Sequence, residues 1–372
     1  MAIQHIGSTR RSFLRTAVAL SLAAAFVLVL PGRAAAYPNM IRLGYTWCSA
    51  CHVSPQGGGV LNRYGRGIDY AQTLRPDEPP GAELPADATI RLLGDIRASL
   101  GIEGAPQSDT AYSLSTSLRT AIALSSQQTL VYAASVRSPT LTTSRRTGAA
   151  SLGMSRLYWA YHPKEGVQLV VGRDEMPTGL VGNSFYRSVN NPSVSSTPTQ
   201  VKLFLWNKRW QVTTYGYGPD GNETDPQFEA RGGGVMVGAN VWKDRAVVGV
   251  TTRYSKADAF DRQEAGVFLR LGLNEHFGIL AENDVTQRTL GTGPKLTHQA
   301  GHVEAFWVPV NWLQTSLAAQ HLNTRNGAST YRLSPSAEIR LTPNFKLEFS
   351  TRNVYAQTDS RTYSVNLQVK AQ

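Results

Sequence analysis

Hydrophobic and polar residues alternate with a period of two over most of the chain, from residue 88 to residue 372. Along residues 363–370, for example, the odd positions are Tyr, Val, Leu and Val, whereas the even positions are Ser, Asn, Gln and Lys. Successive side chains of a β-strand point to opposite faces, so each such segment predicts a strand with one apolar and one polar face. About 16 segments of this kind follow one another, and an even number is typical of barrels in the bacterial outer membrane.

The connections between these segments differ in length in a regular way. The segments begin near residues 88, 109, 127, 149, 166, 198, 209, 231, 245, 262, 276, 297, 312, 329, 343 and 360. Short connections are predicted at 125–127, 163–166, 207–209, 243–245, 274–276, 309–311 and 342–344, and long ones at 101–108, 138–148, 175–197, 218–230, 255–261, 286–296, 323–328 and 356–360. We therefore predict an all-β fold, an up-and-down antiparallel outer-membrane β-barrel of about 16 strands over residues 88–372. The connection 175–197 is a candidate for a loop that folds inward.

Side chains at the strand ends and on the polar parity fit a barrel that crosses a membrane. Aromatic residues recur at predicted strand ends, as in the girdles at membrane interfaces: Trp159, Tyr161, Trp206, Trp210, Trp242, Trp307, Trp312, Phe345 and Tyr355. The parity that would face the lumen carries Arg91, Asp95, Arg97, Arg119, Arg137, Arg156, Lys202, Glu282, Asp284, Glu304, Glu338, Arg340, Lys346, Glu348 and Arg352. A soluble β-sandwich also alternates, but it explains the regular change in connection length poorly.

The first 36 residues have the features of an export signal. Residues 1–36 contain no acidic residue, and Arg10, Arg11 and Arg15 precede a mostly apolar run that ends at Leu30. Small residues follow at 34–36, so we predict a cleaved signal peptide and a mature chain from residue 37. A retained anchor helix is the alternative. Residues 9–15 resemble a twin-arginine signal, which leaves the export pathway open and places the destination outside the inner membrane.

The charge balance and the cysteine count narrow the chemistry. The formal net charge of +11 belongs partly to the signal, and in an exported chain we expect no nucleic-acid partner. Both cysteines lie in Cys48-Ser49-Ala50-Cys51-His52, which is the attachment pattern of c-type haem. In that chemistry Cys48 and Cys51 form thioether bonds, and His52 is the proximal iron ligand. Two cysteines exclude a Cys₄ zinc site. A disulfide between the two cysteines, or a thioredoxin-like redox pair, is the alternative.

The predicted haem segment, residues 37–74, is too short to bury a porphyrin without walls supplied by the rest of the chain. A stretch over 75–87 holds four prolines and four acids and is predicted to be an extended linker. Met40 is the nearest candidate for the distal iron ligand. Other candidates, each more often a packing or surface residue, are Met154, Met176, Met236, His162, His276, His298, His302 and His321.

A C-x-x-C-H unit that precedes a single-chain barrel resembles the fused monohaem cytochrome–porins of bacterial outer membranes, a family that includes iron-oxidase-like proteins. The resemblance rests on residues 48–52, on Pro55, and on Leu61-Asn62 and Tyr64-Gly65. It implies one covalent haem c that carries single electrons between a periplasmic cytochrome and an extracellular donor or acceptor. Ferrous iron is one such donor, which would make the chain an oxidoreductase.

The same resemblance implies a barrel surrounded by outer-membrane lipid. With both barrel termini on the short-turn side, the haem segment would lie in the periplasm or reach into the lumen from there. Two other functions stay open from the sequence. One is a transport pore whose haem segment is a plug or a sensor, and the other is a soluble, β-rich haem protein of the periplasm.

Overall fold

The computed structural model describes most of the chain after residue 37. The described residues are 38–55, 60–74, 91–105, 108–142, 146–147, 150–177, 180, 197–219, 230–291, 293, 295–324, 329–342, 344–355 and 360–371. The predicted signal peptide and the predicted linker lie outside them. No helix within these ranges is long and apolar enough to cross a membrane.

Sixteen strands form the wall of the barrel. Two short strands, Thr140–Thr142 and Arg146–Thr147, form a hairpin in the connection between the third and the fourth wall strand. The wall strands are β1 Arg91–Ala105, β2 Ser108–Ala123, β3 Gln128–Arg137, β4 Ser151–Lys164, β5 Val167–Arg173, β6 Thr199–Trp206, β7 Trp210–Tyr217, β8 Arg231–Trp242, β9 Ala246–Ala257, β10 Phe260–Gly272, β11 Phe277–Leu290, β12 Lys295–Val310, β13 Leu313–Thr324, β14 Ser329–Thr342, β15 Phe345–Tyr355 and β16 Ser360–Ala371.

The sheet closes on itself. Each wall strand pairs antiparallel with its neighbours in the chain, and β1 pairs with both β2 and β16. Leu100 lies opposite Leu114 on one side and Leu367 on the other. Closure leaves no strand edge unpaired, which is what a sheet needs if it is to sit among lipid chains. The predicted fold class, a closed antiparallel barrel of 16 strands, is therefore confirmed.

Most strand positions agree with the sequence pattern, but three of the predicted long connections are wrong. β11 continues to Leu290 and β12 begins at Lys295, so the connection predicted at 286–296 is limited to residues 291–294. β1 continues to Ala105, so no loop begins at residue 101. β9 and β10 stay paired as far as Ala257 and Phe260, so their connection is the two residues between them. The physical reason is that backbone ladders continue beyond the apolar band, where polar side chains on both faces of a strand hide the boundary. The short turn at Lys243 and Asp244 has φ values of 40° and 61°, as a tight hairpin turn requires.

The distribution of apolar and charged side chains across the wall is the reverse of that in a soluble protein. Ile96, Val201 and Val303 are 51%, 50% and 50% exposed on the outside, while Lys202 and Asp95, on the opposite parity, are buried. Among the charges predicted to face inward, those that are buried are Asp95, Arg97, Arg156, Lys202, Glu282, Asp284, Glu338, Arg340 and Lys346. Large exposed apolar side chains on every wall strand are expected only where lipid covers them.

Aromatic side chains mark two levels on the outside. Near the short turns, Trp210 and Trp242 are exposed, and Trp307 stacks on Phe277 at 5.8 Å. Near the other ends of the strands, the exposed aromatic residues are Tyr112, Tyr254, Tyr331, Tyr355 and Tyr363. On β15 the two aromatic levels are marked by Phe345 and Tyr355, which are ten residues apart, or about 33 Å along a strand. A strand tilt of about 40° reduces this length to about 25 Å, the height of the apolar band of an outer-membrane barrel.

Residues 38–55 and 60–74, called the plug here, lie in the short-turn mouth of the barrel. The plug contains two 3₁₀ helices, Pro38–Leu43 and Cys48–Ala50, and one α-helix, α1, Arg63–Ala71. Its apolar side chains join clusters of inward-facing wall residues, and the contacts spread over strands from opposite parts of the ring. Ile41 packs with Met236, Val247, Phe268, Leu280, Phe306 and Val308, whereas Val60 packs with Ala121, Val131, Tyr158, Ala160, Val170 and Phe204.

Candidate haem-attachment site and the lumen around it

The motif forms one tight turn. The backbone N–H groups of Cys51 and His52 both donate to the carbonyl oxygen of Cys48, at 3.2 Å and 2.9 Å. This turn brings two thiols and one imidazole together within five residues. Both cysteines are free thiols, and Cys48 is half-buried whereas Cys51 and His52 are buried. The structure therefore assembles the three predicted haem-binding residues as one unit.

Asn62 ties this turn to the helix that follows. Its side-chain Nδ2 donates to the carbonyl oxygens of Ser49 and Ala50, at 3.4 Å and 3.1 Å. Its Oδ1 accepts from the backbone N–H of Gly65 at 2.8 Å, which is the hydrogen bond of an N-cap residue. Its own N–H donates to the carbonyl oxygen of Cys51 at 2.9 Å. One asparagine thus caps α1 and fixes the backbone of the motif.

Gly65 allows α1 to lie directly on the motif. A Cβ atom at this position would stand 2.1 Å from the carbonyl oxygen of Cys51, so no residue with a side chain fits without a shift. Behind it, His52 and Leu61 form an isolated antiparallel bridge. Leu61, Asn62 and Gly65 are among the residues on which the sequence resemblance rested. Their contacts hold the turn of residues 48–52 in shape.

The chemistry of Cys51 does not suit a redox or nucleophilic cysteine. Burial, together with the nearby Cys48 and Asp69, raises the pKa of the Cys51 thiol to about 11. Reactive cysteines have depressed pKa values because nearby positive charge or a helix N-terminus stabilises the thiolate. The thiol stays protonated at neutral pH, and it lies in a 3₁₀ turn beside an α-helix rather than in a βαβ unit. Of the two alternatives from the sequence, the thioredoxin-like pair is disfavoured.

The surroundings of the motif fit a haem. Two thiols and a histidine on one turn are the donor set of covalent haem attachment. The indole Nε1 of Trp47 is buried without a hydrogen-bond partner among the described residues, and it can serve an acceptor such as a haem propionate. The Nη1 atom of Arg270, on the wall, reaches to 3.8 Å from the Sγ atom of Cys48. The barrel thus contributes polar groups to the motif, as expected if the wall completes the haem pocket.

The distal ligand stays a prediction. Met40 is buried in the plug, and its Sδ atom accepts a hydrogen bond from Nε2 of Gln72 at 3.3 Å. Met236 belongs to the lumen cluster against which Trp47 packs, next in sequence to Cys48. His302 instead contacts Gln320 and Glu304 on the wall. Among the sequence candidates, Met40 lies in the plug and Met236 lies beside it. His162 is also close to the plug, because the side-chain amide of Gln168 hydrogen-bonds both its Nε2 and the carbonyl oxygen of Val53.

Polar contacts hold the plug from several directions. Arg340 donates through Nη1 to Oε1 of Gln72 at 3.0 Å, and its carbonyl oxygen accepts from the N–H of Leu74 at 2.9 Å. Lys370 forms a buried ion pair with Asp69 at 3.4 Å. On the far side, Nη1 of Arg42 donates to the carbonyl oxygen of Glu275. None of these wall partners was singled out as a plug contact from the sequence, because the pairing of side chains across the lumen depends on the closed ring.

The connection after β5 turns into the lumen. The N–H of Leu180 donates to Oε2 of Glu282 on β11 at 2.9 Å, which places this residue far from its own strand. At its start, Asp174 forms a buried ion pair with Lys202, and Glu175 pairs with Arg156 at 2.8 Å. The described ends of the predicted inward-folding loop therefore contact inward-facing residues, while residues 181–196 lie outside the described part.

Solved structures of outer-membrane channels resemble this barrel. A loop-deletion mutant of OmpT from Vibrio cholerae superposes with a TM-score of 0.60 at 8% identity, covering 76% of this chain and 100% of that one. An anion-selective porin from Comamonas acidovorans gives 0.58 at 10% identity, with 76% and 99% covered. The channel DcaP of Acinetobacter baumannii gives 0.56 at 10%, with 76% and 97% covered. No protein-family model and no curated protein sequence matches the chain.

The barrel has the outer-membrane porin fold. At identities of 8–10%, the similarity concerns the fold and does not transfer the solute or the assembly of any of these proteins. The solved structures support the porin fold of the barrel, and the resemblance to fused cytochrome–porins stays a prediction. On the cytochrome side it rests on the motif and on the contacts of the plug.

Proposed function

We propose that the chain is an outer-membrane porin-type barrel whose short-turn mouth is occupied by a haem-bearing plug. In this proposal the barrel transports small solutes, and the plug controls access to the lumen or senses the state of the haem. The observation that carries the proposal is the seat of the plug, whose Ile41 and Val60 join two separate clusters of lumen residues. Both barrel termini lie at this mouth, which corresponds to the periplasmic side.

The outer surface supports the location. An apolar band of about 25 Å between two aromatic levels matches the outer membrane, and its partner is outer-membrane lipid. Buried ion pairs such as those of Asp95 with Arg97 and Arg119, at 3.0 Å and 2.8 Å, line the inside. A polar, charged lumen inside an apolar shell is the arrangement that a solute pathway needs.

The plug would hold one covalent haem c through Cys48 and Cys51, with His52 as the proximal iron ligand. When bound, the haem supplies one-electron redox chemistry. Asn62 and Gly65 keep the turn of the motif in place, and Cys51 and His52 are buried. The plug is too small to enclose a haem with its own apolar side chains, so the barrel wall would have to complete the haem pocket.

A second function, an electron conduit at the outer membrane, is favoured by the open side of the plug. Tyr64 is 54% exposed, and its hydroxyl forms a hydrogen bond with that of Tyr45 next to the motif. Cys48 is half-buried rather than enclosed. A haem attached there would stand near the mouth, where a periplasmic cytochrome can approach. Electrons would then pass between that cytochrome and an extracellular donor or acceptor, including ferrous iron.

Planar-bilayer conductance separates the two functions. The purified full chain, with haem attached, is compared with a variant that lacks residues 38–74. For a transport pore we expect small or gated currents from the full chain and larger, steady currents from the deletion variant. The electron-conduit function predicts closed barrels in bilayers and, in proteoliposomes, reduction of an enclosed cytochrome by external ferrous iron. Absence of any channel in the deletion variant would contradict the pore.

A further inference from the structure

Two arginines face each other directly in the wall of the lumen. Arg262 on β10 is the register partner of Arg288 on β11, and both side chains lie on the inward parity. Like charges at directly opposite positions of neighbouring strands destabilise a sheet. The fold therefore carries a local electrostatic cost at this point, and it lies in the half of the lumen away from the plug.

The nearest carboxylate does not compensate both charges. Glu264 forms ion pairs with Arg253 and with Arg262, the latter at 2.8 Å. Arg288 forms no ion pair with any described residue, and its guanidinium lies over the ring of Phe260 at 4.5 Å. Its Nε atom is buried and has no hydrogen-bond partner among the described residues. Arg288 thus presents a positive charge that the wall holds in position without neutralising it.

Other basic side chains lie on the same part of the inner surface. His298, on the next strand, lies close enough for both Arg262 and Arg288 to act on it electrostatically. Around the ring, Arg332 and Arg352 on β14 and β15 also repel each other. The positive charges therefore form an arc on the inner surface near the long loops.

Several other wall cations are paired with carboxylates. Arg97 and Arg119 share Asp95, Lys202 is paired with Asp174, and Arg340 and Lys346 share Glu338. Those cations sit in closed networks that hold the wall together. Arg288 differs from them because it has no carboxylate partner among the described residues, and this suits binding rather than architecture.

We propose that Arg288 and Arg262 form a binding site for small oxyanions in the loop-end half of the lumen. A guanidinium presents parallel N–H donors that match two oxygens of a phosphate, sulfate or carboxylate. Contact with the Phe260 ring restricts the movement of the Arg288 guanidinium, so less conformational freedom is lost when an anion binds. The inference rests on the proposed transport function and narrows it, because it names oxyanions as the solute class that the lumen attracts.

The test uses the full chain in detergent, with inorganic phosphate as the probe. Thermal unfolding is followed in phosphate and in chloride at equal ionic strength. We expect phosphate to raise the unfolding temperature of the unaltered protein, and the R288Q variant to bind phosphate about tenfold more weakly, as for loss of a charged hydrogen bond. R361Q is the matched control, because Arg361 is exposed and bonds Asn353 at 2.6 Å away from the arc. Heat-modifiable gel mobility verifies that each variant folds.

A second variant keeps the test decisive if R288Q does not fold. R288K retains the charge but loses the planar pair of donors. We therefore expect phosphate to bind R288K several-fold more weakly than it binds the unaltered protein, with chloride at equal ionic strength as the reference for both. An equal phosphate effect in the unaltered chain, R288Q and R361Q would overturn the site. If the protein forms channels but phosphate does not raise its unfolding temperature, the oxyanion site is contradicted, whereas the proposed transport function is not. A phosphate effect lost in R288Q, in a protein that forms no channel, supports the site and contradicts transport.

Discussion

The wall and the plug of this molecule are held together in different ways. In the wall, the alternation of residues such as Val201 outside and Lys202 inside repeats on every strand, and no single position decides the fold. In the plug, the conformation depends on a few contacts, among them those of Asn62 and Gly65 with the turn of residues 48–52. A repeated pattern tolerates local errors, whereas a small unit built on particular atoms does not. The predictions below test this contrast.

Removing both thioether positions should have the largest effect and should be confined to the plug. If the proposed haem is attached through these thiols, we expect C48A/C51A to lose it completely, since no other cysteine exists in the chain. Haem staining after denaturing electrophoresis measures this loss. The barrel should still show heat-modifiable mobility, because the wall has its own closed hydrogen-bond ladder. Haem stain that survives in the variant would contradict the attachment.

A charge on the outer surface should damage the wall and not the plug. V303R places a guanidinium at a 50% exposed outward position, where lipid contact makes a charge cost about 2–4 kcal/mol. The expected result is a lower free energy of unfolding in lipid vesicles. E304R, one residue on and facing the lumen, serves as the matched control and should be tolerated better. Equal destabilisation by both variants would contradict the assignment of the two faces.

Two glycines of α1 allow a matched test of the plug. In G65A the new Cβ would stand 2.1 Å from the carbonyl oxygen of Cys51, whereas in G67A nothing lies within 4 Å. We expect overpacking to destabilise the plug of G65A by about 1–3 kcal/mol. G67A should be neutral or stabilising by up to about 1 kcal/mol, because alanine favours a helix. Haem content per barrel and limited proteolysis of the plug report the difference; similar results for both variants would count against this packing.

Loss of the N-cap should give the smallest effect. N62A removes the bonds to Ser49, Ala50 and Gly65, and such a cap is worth about 1 kcal/mol. The protease sensitivity of the plug should rise while the unfolding of the wall is unchanged. N62D keeps the oxygen that accepts from Gly65 but lacks the amide donors, so it separates capping of α1 from support of the motif. A wild-type plug in N62A would show that Asn62 is dispensable.

The same contrast explains what could be predicted from the sequence. The period of two identified the wall strands, because burial on a closed sheet depends only on parity. It overestimated the lengths of the connections at 101–108, 255–261 and 286–296, because polar residues there continue the backbone pairing. The motif at residues 48–52 predicted a haem-attachment turn; these residues form one tight turn, and the attached haem stays a prediction. The contacts of Arg340 and Lys370 with the plug had no sequence signal, because they depend on how distant strands converge on one mouth.

A disulfide across the mouth tests most directly whether the plug sits in the barrel. The N–H of Leu74 donates to the carbonyl oxygen of Arg340 at 2.9 Å, so the two residues lie as close as paired strand residues, within reach of a disulfide. In the haem-loaded protein both native cysteines are consumed, which leaves L74C/R340C as the only thiols. We predict rapid cross-linking in isolated outer membranes, seen as a mobility shift that reductant reverses, and none in L74C/I339C, whose second thiol faces outward. Failure of L74C/R340C to cross-link in folded, haem-bearing protein would contradict the seated plug.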